Sequence, residues 1–452
     1  MYPTGIRPVL SSLGQRLSQS FTKTTVSPYT GRFVRYFSRS YRSSPIRGLS
    51  STLRVPYRSF LSTNLTSPYT QKRTTMSAQK TSVNVAVIGT GNIGGELLNQ
   101  IQGFNISAKA ANTPQFNVVA ISSIEGHFIS KDYSPIDLGN WKAVSQTGNG
   151  PASFEVLADF LGKSTLPAIV VDNTASEAVA YSYPLFLSKG INIATPNKKA
   201  FSAPLAKYKE IIDASRKSGA LLMHESSVGA GLPIISTLKE LILTGDEILK
   251  VEGIFSGTMS YIFNNWSPNG KKGTAAFSEV VKVAKDNGFT EPDPRDDLNG
   301  MDVARKVTIL SRIAGLDIES PEAFPVHSLI PEPLVTAASA DDFMAGLPAF
   351  DASIAAVREA AEKEGKVVRF VGESDLVSKK TSVSLKSYET THPFANLQHA
   401  DNIISFTTKR YSTTPLVVIG AGAGAAVTAA GVLGDMIKIL SQVRAADAPS
   451  KN

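Results

Sequence analysis

The chain has 452 residues, of which 42 % are hydrophobic and 19 % are charged, a globular composition with enough length for two or three domains. It has no cysteine, which excludes disulfides, thiolate metal sites and cysteine nucleophiles, and no apolar run of membrane-spanning length, so we expect no membrane partner. The net charge is +8, but the first 75 residues hold 12 Lys or Arg and no acid, so the rest carries 8 − 12 = −4 and we expect no nucleic-acid partner.

Residues 1–80 form a basic leader. Its richness in Ser and Arg and its lack of acids are typical of a mitochondrial transit peptide. Alternatively, translation starts at Met76, shortly before the first apolar strand, and the leader is not made. The first interpretation implies a mitochondrial protein and the second a cytoplasmic one, and the sequence leaves both open.

Strand and helix patterns alternate from residue 81 to about residue 225. Short apolar runs rich in β-branched residues predict buried strands at 83–89, 116–122, 167–174 and 191–195. Apolar residues at helical spacing follow the first and the third of these strands. This alternation predicts a doubly wound α/β sheet.

The pattern changes after about residue 225, where helices occur together with half-exposed strands. Helices are predicted at 233–246 and 276–288, and strands at 247–257, 380–389 and 402–411. This texture predicts a second domain of the α+β class, with the Ala-rich helical stretch before residue 366 at its periphery. We therefore assign residues 81–225 plus 416–445 to the first domain and residues 226–415 to the second.

Gly89, Gly91 and Gly94 form the pattern G-x-G-x-x-G between the first strand and its helix. Gly89 permits a tight turn, Gly91 lets a pyrophosphate approach the backbone, and the helix N-terminus favours negative charge. We therefore predict a Rossmann-type dinucleotide-binding domain, with a glycine turn in an unrelated α/β protein as the alternative. The second strand ends at Ser122, without an arginine nearby and with Glu125 slightly beyond, so the choice between NAD and NADP stays open.

A second glycine-rich stretch, Val418–Gly431, imitates this fingerprint. Only 32 residues follow Gly420, too few for a second mononucleotide fold. We predict one small-residue helix that returns to the first domain. Its N-terminus at 422–424 would close the cofactor pocket, because glycine and alanine allow close backbone approach.

Two other candidates follow predicted strands. Lys198 comes directly after the strand at 191–195, where it either contacts a substrate carbonyl or carboxylate or is a solvated loop lysine. Glu225 begins "ESSVGAGLP" after His224, but the second histidine of a zinc motif is missing. Glu225 and the carbonyls of the glycine turn could ligate a hard cation.

Residues 287–306 combine five acids with two prolines and end on Lys306. The acids are Glu291, Asp293, Asp296, Asp297 and Asp302. The spacing does not match an EF-hand loop, so calcium is excluded. Asp302 and Lys306 are four residues apart on a predicted helix, and they therefore share one face. Either this is a site built around one lysine, or it is an ordinary exposed ion pair worth a few tenths of a kcal/mol.

Seven motifs in order along residues 82–440 carry a family resemblance. They are VNVAVIGTGNIGG, DNTAS, IATPNKKAF, HESSVGAGLPIIS, GIFSGTMSYIFN, GFTEPDPRDDLNGMDVARKV and GAGAGAAVTAAGVLGD. Together they closely resemble the monofunctional homoserine dehydrogenases of fungi. Ala175 is a departure, because relatives often have serine there.

The resemblance implies roles for residues at the matching positions. Lys306 is expected to donate the proton to the substrate carbonyl oxygen, with Asp302 supporting it and Lys198 beside the nicotinamide and the substrate. Expected ligands of the substrate ammonium group are Glu291, Asp297 and the backbone of Gly288; expected cofactor contacts are Gly89, Thr90, Gly91, Asn92, Ile93, Gly94, Thr174, Lys198 and Gly424; expected sodium ligands are Glu225 and the carbonyls of Val228, Ala230 and Leu232.

The activity implied is reduction of L-aspartate 4-semialdehyde to L-homoserine with NADPH or NADH, toward threonine and methionine. The resemblance also implies a homodimer, with the second domain as the catalytic and dimerisation domain. A phosphorylating semialdehyde dehydrogenase is excluded because it needs a cysteine to form a thioester. A non-catalytic nucleotide-sensing module is the alternative, and it leaves the acid-rich stretch unexplained.

Overall fold

The computed structural model describes residues 82–446. The predicted leader, and with it the choice between a mitochondrial and a cytoplasmic location, lies outside the described residues. Within them the chain forms two β-sheets, one of seven strands and one of five.

The first sheet has the strand order β4-β3-β2-β1-β5-β6-β7. Its strands are β1 (Val83–Ile88), β2 (Phe116–Ser122), β3 (Gly126–Ile129), β4 (Gly148–Asn149), β5 (Ala168–Asp172), β6 (Asn192–Ala194) and β7 (Leu222–Met223). The helices in this part of the chain are α1 (Asn92–Ala110), α2 (Trp141–Ser145), α3 (Phe154–Gly162), α4 (Glu177–Tyr181), α5 (Tyr183–Leu187), α6 (Lys199–Ser202) and α7 (Leu205–Ser218). Five neighbouring strands from β2 to β7 run parallel, and β3 and β4 add antiparallel pairs at one edge.

The centre of this sheet explains its sequence pattern and the location of the site. Every residue of β1 and β5 is buried, which is why both strands are continuous apolar runs without alternation. The chain passes from β1 to β2 on one side and later adds β5 on the other, so the strand order reverses between β1 and β5. Ligands of such sheets bind at this reversal, outside the carboxyl ends of the strands. The predicted doubly wound nucleotide-binding fold is therefore confirmed.

The second sheet has the order β10-β9-β8-β11-β12, with every pair antiparallel. Its strands are β8 (Ile248–Ile254), β9 (Lys366–Asp375), β10 (Lys380–Glu389), β11 (Asp401–Thr408) and β12 (Leu416–Ala421). The helices in this part are α8 (Ile234–Leu243), α9 (Gly257–Trp266), α10 (Phe277–Asp286), α11 (Arg295–Leu298), α12 (Met301–Ile313), α13 (Ala340–Gly346), α14 (Asp351–Lys363) and α15 (Ala425–Ala446). The predicted second domain of the α+β class is confirmed, and its sheet is antiparallel.

Strand β9 is one element that we did not predict. It pairs with both β8 and β10, and most of its residues are buried. A buried arginine, Arg369, interrupts its apolar run, and its guanidinium donates hydrogen bonds to backbone carbonyls that include those of Phe394 and Ala395. A charged residue in a short apolar run argues against a buried strand. The backbone carbonyls that satisfy Arg369 cannot be recognised from residue types, so this strand could not be predicted.

The segment 416–445 does not behave as the single piece that we assigned to the first domain. Leu416–Ala421 is a strand of the second sheet that pairs with β11, and we did not predict this strand. The predicted helix begins at Ala425, directly after the N-terminus expected at 422–424, and it packs on α1 of the first domain. It is long and apolar enough to cross a membrane, but Val432 and Met436 on its inner face are fully buried in the protein core.

Candidate active site

A cleft of 540 Å³ opens beside the carboxyl ends of β1, β5 and β6. Its walls come from both sheets and their helices, so it brings together candidates that lie far apart in the sequence. The predicted site residues that line it are Ile93, Thr174, Lys198, Ala230, Glu291, Asp302, Lys306 and Gly424. Gly422, from the stretch expected to close the cofactor pocket, also lines it, as do residues to which the sequence gave no role, among them Asn173 and Arg305.

The glycine turn has the geometry that a dinucleotide requires. Gly89 has φ +85, and a side chain there would collide with Thr174, whose Cγ2 lies 2.7 Å from the Cβ position. A Cβ at Gly94 would lie 1.9 Å from the Gly89 carbonyl oxygen, so helix α1 can approach the turn only with glycine. Gly91, in contrast, has no atom of the described residues within 4 Å of its Cβ position, which leaves open space in front of the helix N-terminus.

Further features of this end of the cleft fit a bound nucleotide. Gly91 precedes α1 and makes no side-chain cap, and the first turn of α1 contains no acid, so its N–H groups are available to an anion. Thr90 and Asn92 lie in the same turn, with Asn92 as the first residue of α1. The amide of Asn173 has both its nitrogen and its oxygen buried without a hydrogen-bond partner among residues 82–446. Buried amides are normally hydrogen-bonded, so this one has capacity for a ligand.

Asp172, at the end of β5, fixes the loop that carries Lys198. Its carboxylate accepts hydrogen bonds from Tyr183 Oη at 2.7 Å and from Asn197 Nδ2 at 2.9 Å. Asn197 in turn accepts a hydrogen bond from the backbone N–H of Lys199. Burial raises the pKa of the Asp172 carboxyl above its usual value, although these hydrogen bonds lower it. The one signal of this network in the sequence is a carboxylate that ends a fully buried strand.

Arg312 ties the same loop to helix α12. Its guanidinium donates to the carbonyls of Phe201 and Ala203, just beyond Lys198, at 2.8 and 2.7 Å. It also donates to the carbonyls of Ile318 and Glu319. Arg312 lies on the helix that carries Asp302 and Lys306. These hydrogen bonds, which we call the Arg312 clamp, therefore fix the position of Lys198 relative to Asp302 and Lys306.

Asp302 lies between two lysines. Its Oδ2 is 2.7 Å from Lys306 Nζ, and its Oδ1 is 3.4 Å from Lys198 Nζ. Lys306 Nζ also donates a hydrogen bond of 2.7 Å to the backbone carbonyl of Phe255. The Lys306 side chain is only 10 % exposed, so this is not the solvated helix pair that was the alternative. An ammonium group has three N–H donors, and two of those on Lys306 are used by the protein.

Burial and neighbouring charges act in opposite directions on these groups. Burial would raise the pKa of Asp302, but the ammonium groups of Lys198 and Lys306 outweigh it and hold that pKa well below its usual range. Burial lowers the pKa of Lys306; Asp302 opposes this effect, whereas Lys198 adds to it. Asp302 is therefore a carboxylate, and Lys306 gives up its proton more readily than an exposed lysine does.

The other acids of residues 287–306 have separate functions. Asp293 forms a bidentate pair with Arg295 and is not available to a ligand. Asp297 accepts a hydrogen bond of 2.8 Å from the backbone N–H of Glu291, whose side chain is exposed and lines the cleft. Burial raises the pKa of Asp297, and its own hydrogen bonds only partly offset this.

Gly288 has φ +69 and ends helix α10, with its N–H bonded to the Lys285 carbonyl. Neither Gly288 nor Asp297 is among the described residues that line the cleft. Both lie next to Glu291: Asp297 accepts the hydrogen bond from the Glu291 N–H, and Gly288 forms the turn that leads to Glu291. Both therefore shape the loop on which Glu291 enters the cleft.

Glu225 caps helix α8 at one end of the cleft. Its Oε1 accepts a hydrogen bond of 2.7 Å from Ile235 N, and its Oε2 accepts one of 3.0 Å from Ser236 N. Lys438 Nζ lies 3.5 Å from Oε2. The following turn is left-handed at Gly229 and at Ala230, where φ is +54.

The carbonyls of this turn fit a cation better than the acids of the chain do. The carbonyls of Val228 and Ala230 accept no hydrogen bond from any residue in 82–446, whereas that of Leu232 accepts one from Ile234. The described part of the chain holds no group of three or more His, Cys, Asp or Glu that could bind a metal. One carboxylate with free carbonyls is an oxygen donor set of low charge, unlike a zinc site.

Comparison with known proteins identifies a family over nearly all of the described chain. The sequence model of the homoserine dehydrogenase domain matches residues 233–437, and that of the homoserine dehydrogenase NAD-binding domain matches residues 89–225. The homoserine dehydrogenase of Schizosaccharomyces pombe is 73 % identical over 375 residues, covering 83 % of this chain and all of that protein. That of Saccharomyces cerevisiae is 50 % identical over 363 residues, covering 80 % of this chain and 99 % of that protein.

Solved structures agree with the fold. A Candida auris protein of unknown function is 46 % identical with a TM-score of 0.75, and the match covers 80 % of this chain and 99 % of that one. A hyperthermophilic archaeal homoserine dehydrogenase in complex with NADPH has a TM-score of 0.60, covering 80 % of this chain and 98 % of that one. At 22 % identity the archaeal protein supports the fold alone.

Proposed function

The chain belongs to the homoserine dehydrogenase family, and we propose from this premise that Lys306 donates the proton in the reduction of L-aspartate 4-semialdehyde. The protein is an NAD(P)-dependent oxidoreductase that interconverts this aldehyde and L-homoserine. When bound, the nicotinamide cofactor supplies or accepts the hydride. Everything else that the reaction needs comes from side chains and backbone groups of the cleft. We place the reaction on the route to threonine and methionine.

The observation that carries the proposal is the third N–H of Lys306. The carboxylate of Asp302 and the carbonyl of Phe255, each 2.7 Å away, take two of the three donors, and the residue lines the cleft. The remaining N–H is free for the aldehyde oxygen, where negative charge develops as the hydride is added. Its lowered pKa makes the ammonium a better acid than an exposed lysine.

Lys198 acts beside Lys306 and shares Asp302 with it. The shared carboxylate keeps both ammonium groups in place and limits their mutual repulsion. Lys198 follows β6, at the carboxyl edge of the sheet, where a nicotinamide ring would lie. We assign it to contacts with the cofactor and the substrate.

Glu291 is the proposed partner of the substrate ammonium group. An amino-acid substrate brings one positive charge that needs a carboxylate, and Glu291 is an exposed acid on the cleft wall. Asp297 and the backbone of Gly288 complete this end of the site. The raised pKa of Asp297 favours an approaching cation, because a nearby positive charge would relieve the cost of its buried carboxylate.

The cofactor is proposed to lie along the glycine turn, with its pyrophosphate at Gly91 and the N-terminus of α1. The contacting residues are Gly89, Thr90, Gly91, Asn92, Ile93, Gly94, Thr174, Lys198 and Gly424. The hydroxyl of Ser123, after β2, accepts hydrogen bonds from its own turn at Glu125 and Gly126. With no arginine in this turn to bind a 2′-phosphate, we expect both NADH and NADPH to serve.

A monovalent cation, sodium in the family, is proposed at the turn after Glu225. The free carbonyls of Val228 and Ala230 support it, and Leu232 and Glu225 complete the set. The ion would hold Ala230, a cleft residue, in its left-handed conformation. Replacing sodium by tetramethylammonium at constant ionic strength should lower the unfolding temperature of the parent but not of Glu225→Gln. Equal unfolding temperatures of the parent in the two salts would reject the site.

A homodimer through the second sheet is also proposed. Strand β12 is an edge strand on which Val417 and Ile419 are 39 % and 54 % exposed. Exposed apolar side chains on an open sheet edge favour association. Sedimentation should give a dimer for the parent and monomer for Ile419→Lys; a monomeric parent would reject the assignment.

The activity is tested by following NADP⁺ or NAD⁺ reduction with L-homoserine at alkaline pH. Homoserine-dependent formation of the reduced cofactor is expected, with L-serine, which is one methylene shorter, as the control substrate. Cofactor binding without any oxidation of homoserine would instead support the nucleotide-sensing alternative.

A further inference from the structure

Asn402, on β11, and Lys306, the proposed proton donor, both donate a hydrogen bond to the same backbone carbonyl. The Asn402 side chain is fully buried, and its Nδ2 donates a hydrogen bond of 2.9 Å to the carbonyl of Phe255. This is the carbonyl that accepts the bond from Lys306. Two donors from separate elements therefore converge on one backbone oxygen.

The position of Phe255 explains why this oxygen needs a second donor. Phe255 is the first residue after β8, and Ile254, the last residue of that strand, is the end of its pairing with β11. The Phe255 carbonyl thus lies just outside the ladder that would otherwise fix its direction. Asn402 supplies the missing constraint from the neighbouring strand.

The absence of a side chain at Gly422 leaves room for the Asn402 amide. A Cβ on Gly422 would lie 2.0 Å from Asn402 Nδ2 and 2.1 Å from its Cγ. Gly422 does not have a positive φ, so this close approach, rather than backbone conformation, is what requires glycine. Gly422 also lines the cleft, so Asn402 joins the cleft wall to the carbonyl that holds Lys306.

Stability alone does not account for an asparagine here. Asn402 Oδ1 is buried without a hydrogen-bond partner in the described part of the chain. An unsatisfied buried polar atom costs about 1–3 kcal/mol, which a leucine of similar size would avoid. The reverse amide orientation would set Oδ1 against the Phe255 oxygen, two acceptors facing each other, so the donor role of Nδ2 is the consistent one.

We propose that Asn402 is a positioning residue of the reaction, holding the Phe255 carbonyl so that Lys306 presents its third N–H to the substrate. The inference rests on the proposed role of Lys306. Asp302 and the Phe255 carbonyl together define the direction of the ammonium, and Asn402 fixes the second of these two acceptors. A small displacement of a reacting group is enough to slow the chemical step about 100-fold.

The test measures kcat for aldehyde reduction and the Kd for NADPH in Asn402→Leu. We expect kcat to fall roughly 10- to 100-fold while the Kd stays within about twofold of the parent, because the glycine turn is untouched. Ser405→Ala, on the same strand, is the matched control and should leave both values unchanged. Unchanged kcat in folded Asn402→Leu would overturn the proposal, as would a parallel loss of kcat and NADPH affinity.

Gly422→Ala provides a second route that keeps the amide but displaces it. It should lower kcat to a similar extent, and the double variant should be no slower than the slower single one. Additive losses, or full activity of Gly422→Ala, would overturn the proposal even if Asn402→Leu does not fold. A failure of the Lys306 assignment is separable, because it would appear as retained activity in Lys306→Met.

Discussion

Asp302 Oδ2 lies 2.7 Å from Lys306 Nζ one helical turn away, and the same carboxylate reaches Lys198 from a different part of the chain. A pair at this spacing on an exposed helix is worth a few tenths of a kcal/mol. Here one member is buried in a cleft wall, so the pair controls the protonation of Lys306 rather than the stability of a helix. Its consequences are measurable as pH dependence.

Replacing the carboxylate in Asp302→Asn should move the pH profile of reduction to lower pH. Reduction needs the Lys306 ammonium, so activity is present below the pKa of Lys306 and is lost as the pH rises through it. Asp302 raises that pKa, and the substitution removes this effect while burial remains. The measurement is kcat against pH with saturating cofactor. A loss of activity that sets in at the same or higher pH than in the parent would contradict the assignment.

Lys198→Met should have the opposite effect on the pH profile, so that the loss of activity with rising pH sets in at a higher pH than in the parent. Lys198 lowers the pKa of Lys306 by repulsion, so its removal leaves Asp302 and Asp297 as the charged groups facing Lys306, and both raise its pKa. We expect reduction to persist to higher pH than in the parent, at a lower maximal rate. The expectation fails if Asp302→Asn and Lys198→Met shift the pH at which activity is lost in the same direction.

Two glycines of the nucleotide turn should separate binding from folding. Gly94→Ala places a Cβ against the Gly89 carbonyl and should destabilise the fold by about 3 kcal/mol or more. Gly91→Ala meets no protein atom and should leave the unfolding free energy unchanged while weakening NADPH binding about tenfold. Denaturant unfolding and NADPH fluorescence titration measure the two effects. Normal NADPH affinity in Gly91→Ala would mean that the pyrophosphate lies elsewhere.

Arg312→Met should remove the hydrogen bonds that join the loop carrying Lys198 to α12. It leaves four carbonyls without their donor, so we expect a loss of about 2–4 kcal/mol in the free energy of unfolding. Arg312→Lys should recover only part of this, because one ammonium cannot reach carbonyls on both sides as a guanidinium does. Equal stability of the lysine variant and the parent would show that charge alone, not the forked geometry, is what matters.

The parts of the site that depend on local patterns could be predicted from the sequence. The glycine turn follows from a strand, three glycines and a helix, and the pairing of Asp302 with Lys306 follows from helical spacing. Both involve residues close together in the chain, where geometry is set by secondary structure. The same locality explains why the doubly wound sheet was recognisable.

What could not be predicted depends on contacts between distant segments. The Phe255 carbonyl, Asn402 and the Arg312 clamp act through backbone oxygens, and every residue has one, so residue types alone do not mark them. Leu416–Ala421 (LVVIGA) has the β-branched residues of a strand, but its place at the edge of the second sheet is set by pairing with β11, a segment distant from the first domain to which we assigned it. Long-range pairing is therefore where interpretation of the sequence failed.

The central claim is tested most directly by Lys306→Met, which keeps the apolar stem of the side chain and removes its charge. Turnover of L-aspartate 4-semialdehyde is measured beside NADPH binding. Lys282→Met is the control, since Lys282 forms an i,i+4 pair of the reverse order with Asp286 on the exposed face of α10. We predict that kcat falls about 1,000-fold or more, that the Kd for NADPH stays within about twofold, and that the control matches the parent. A Lys306→Met enzyme that keeps kcat within about tenfold of the parent would contradict the role of Lys306 as proton donor.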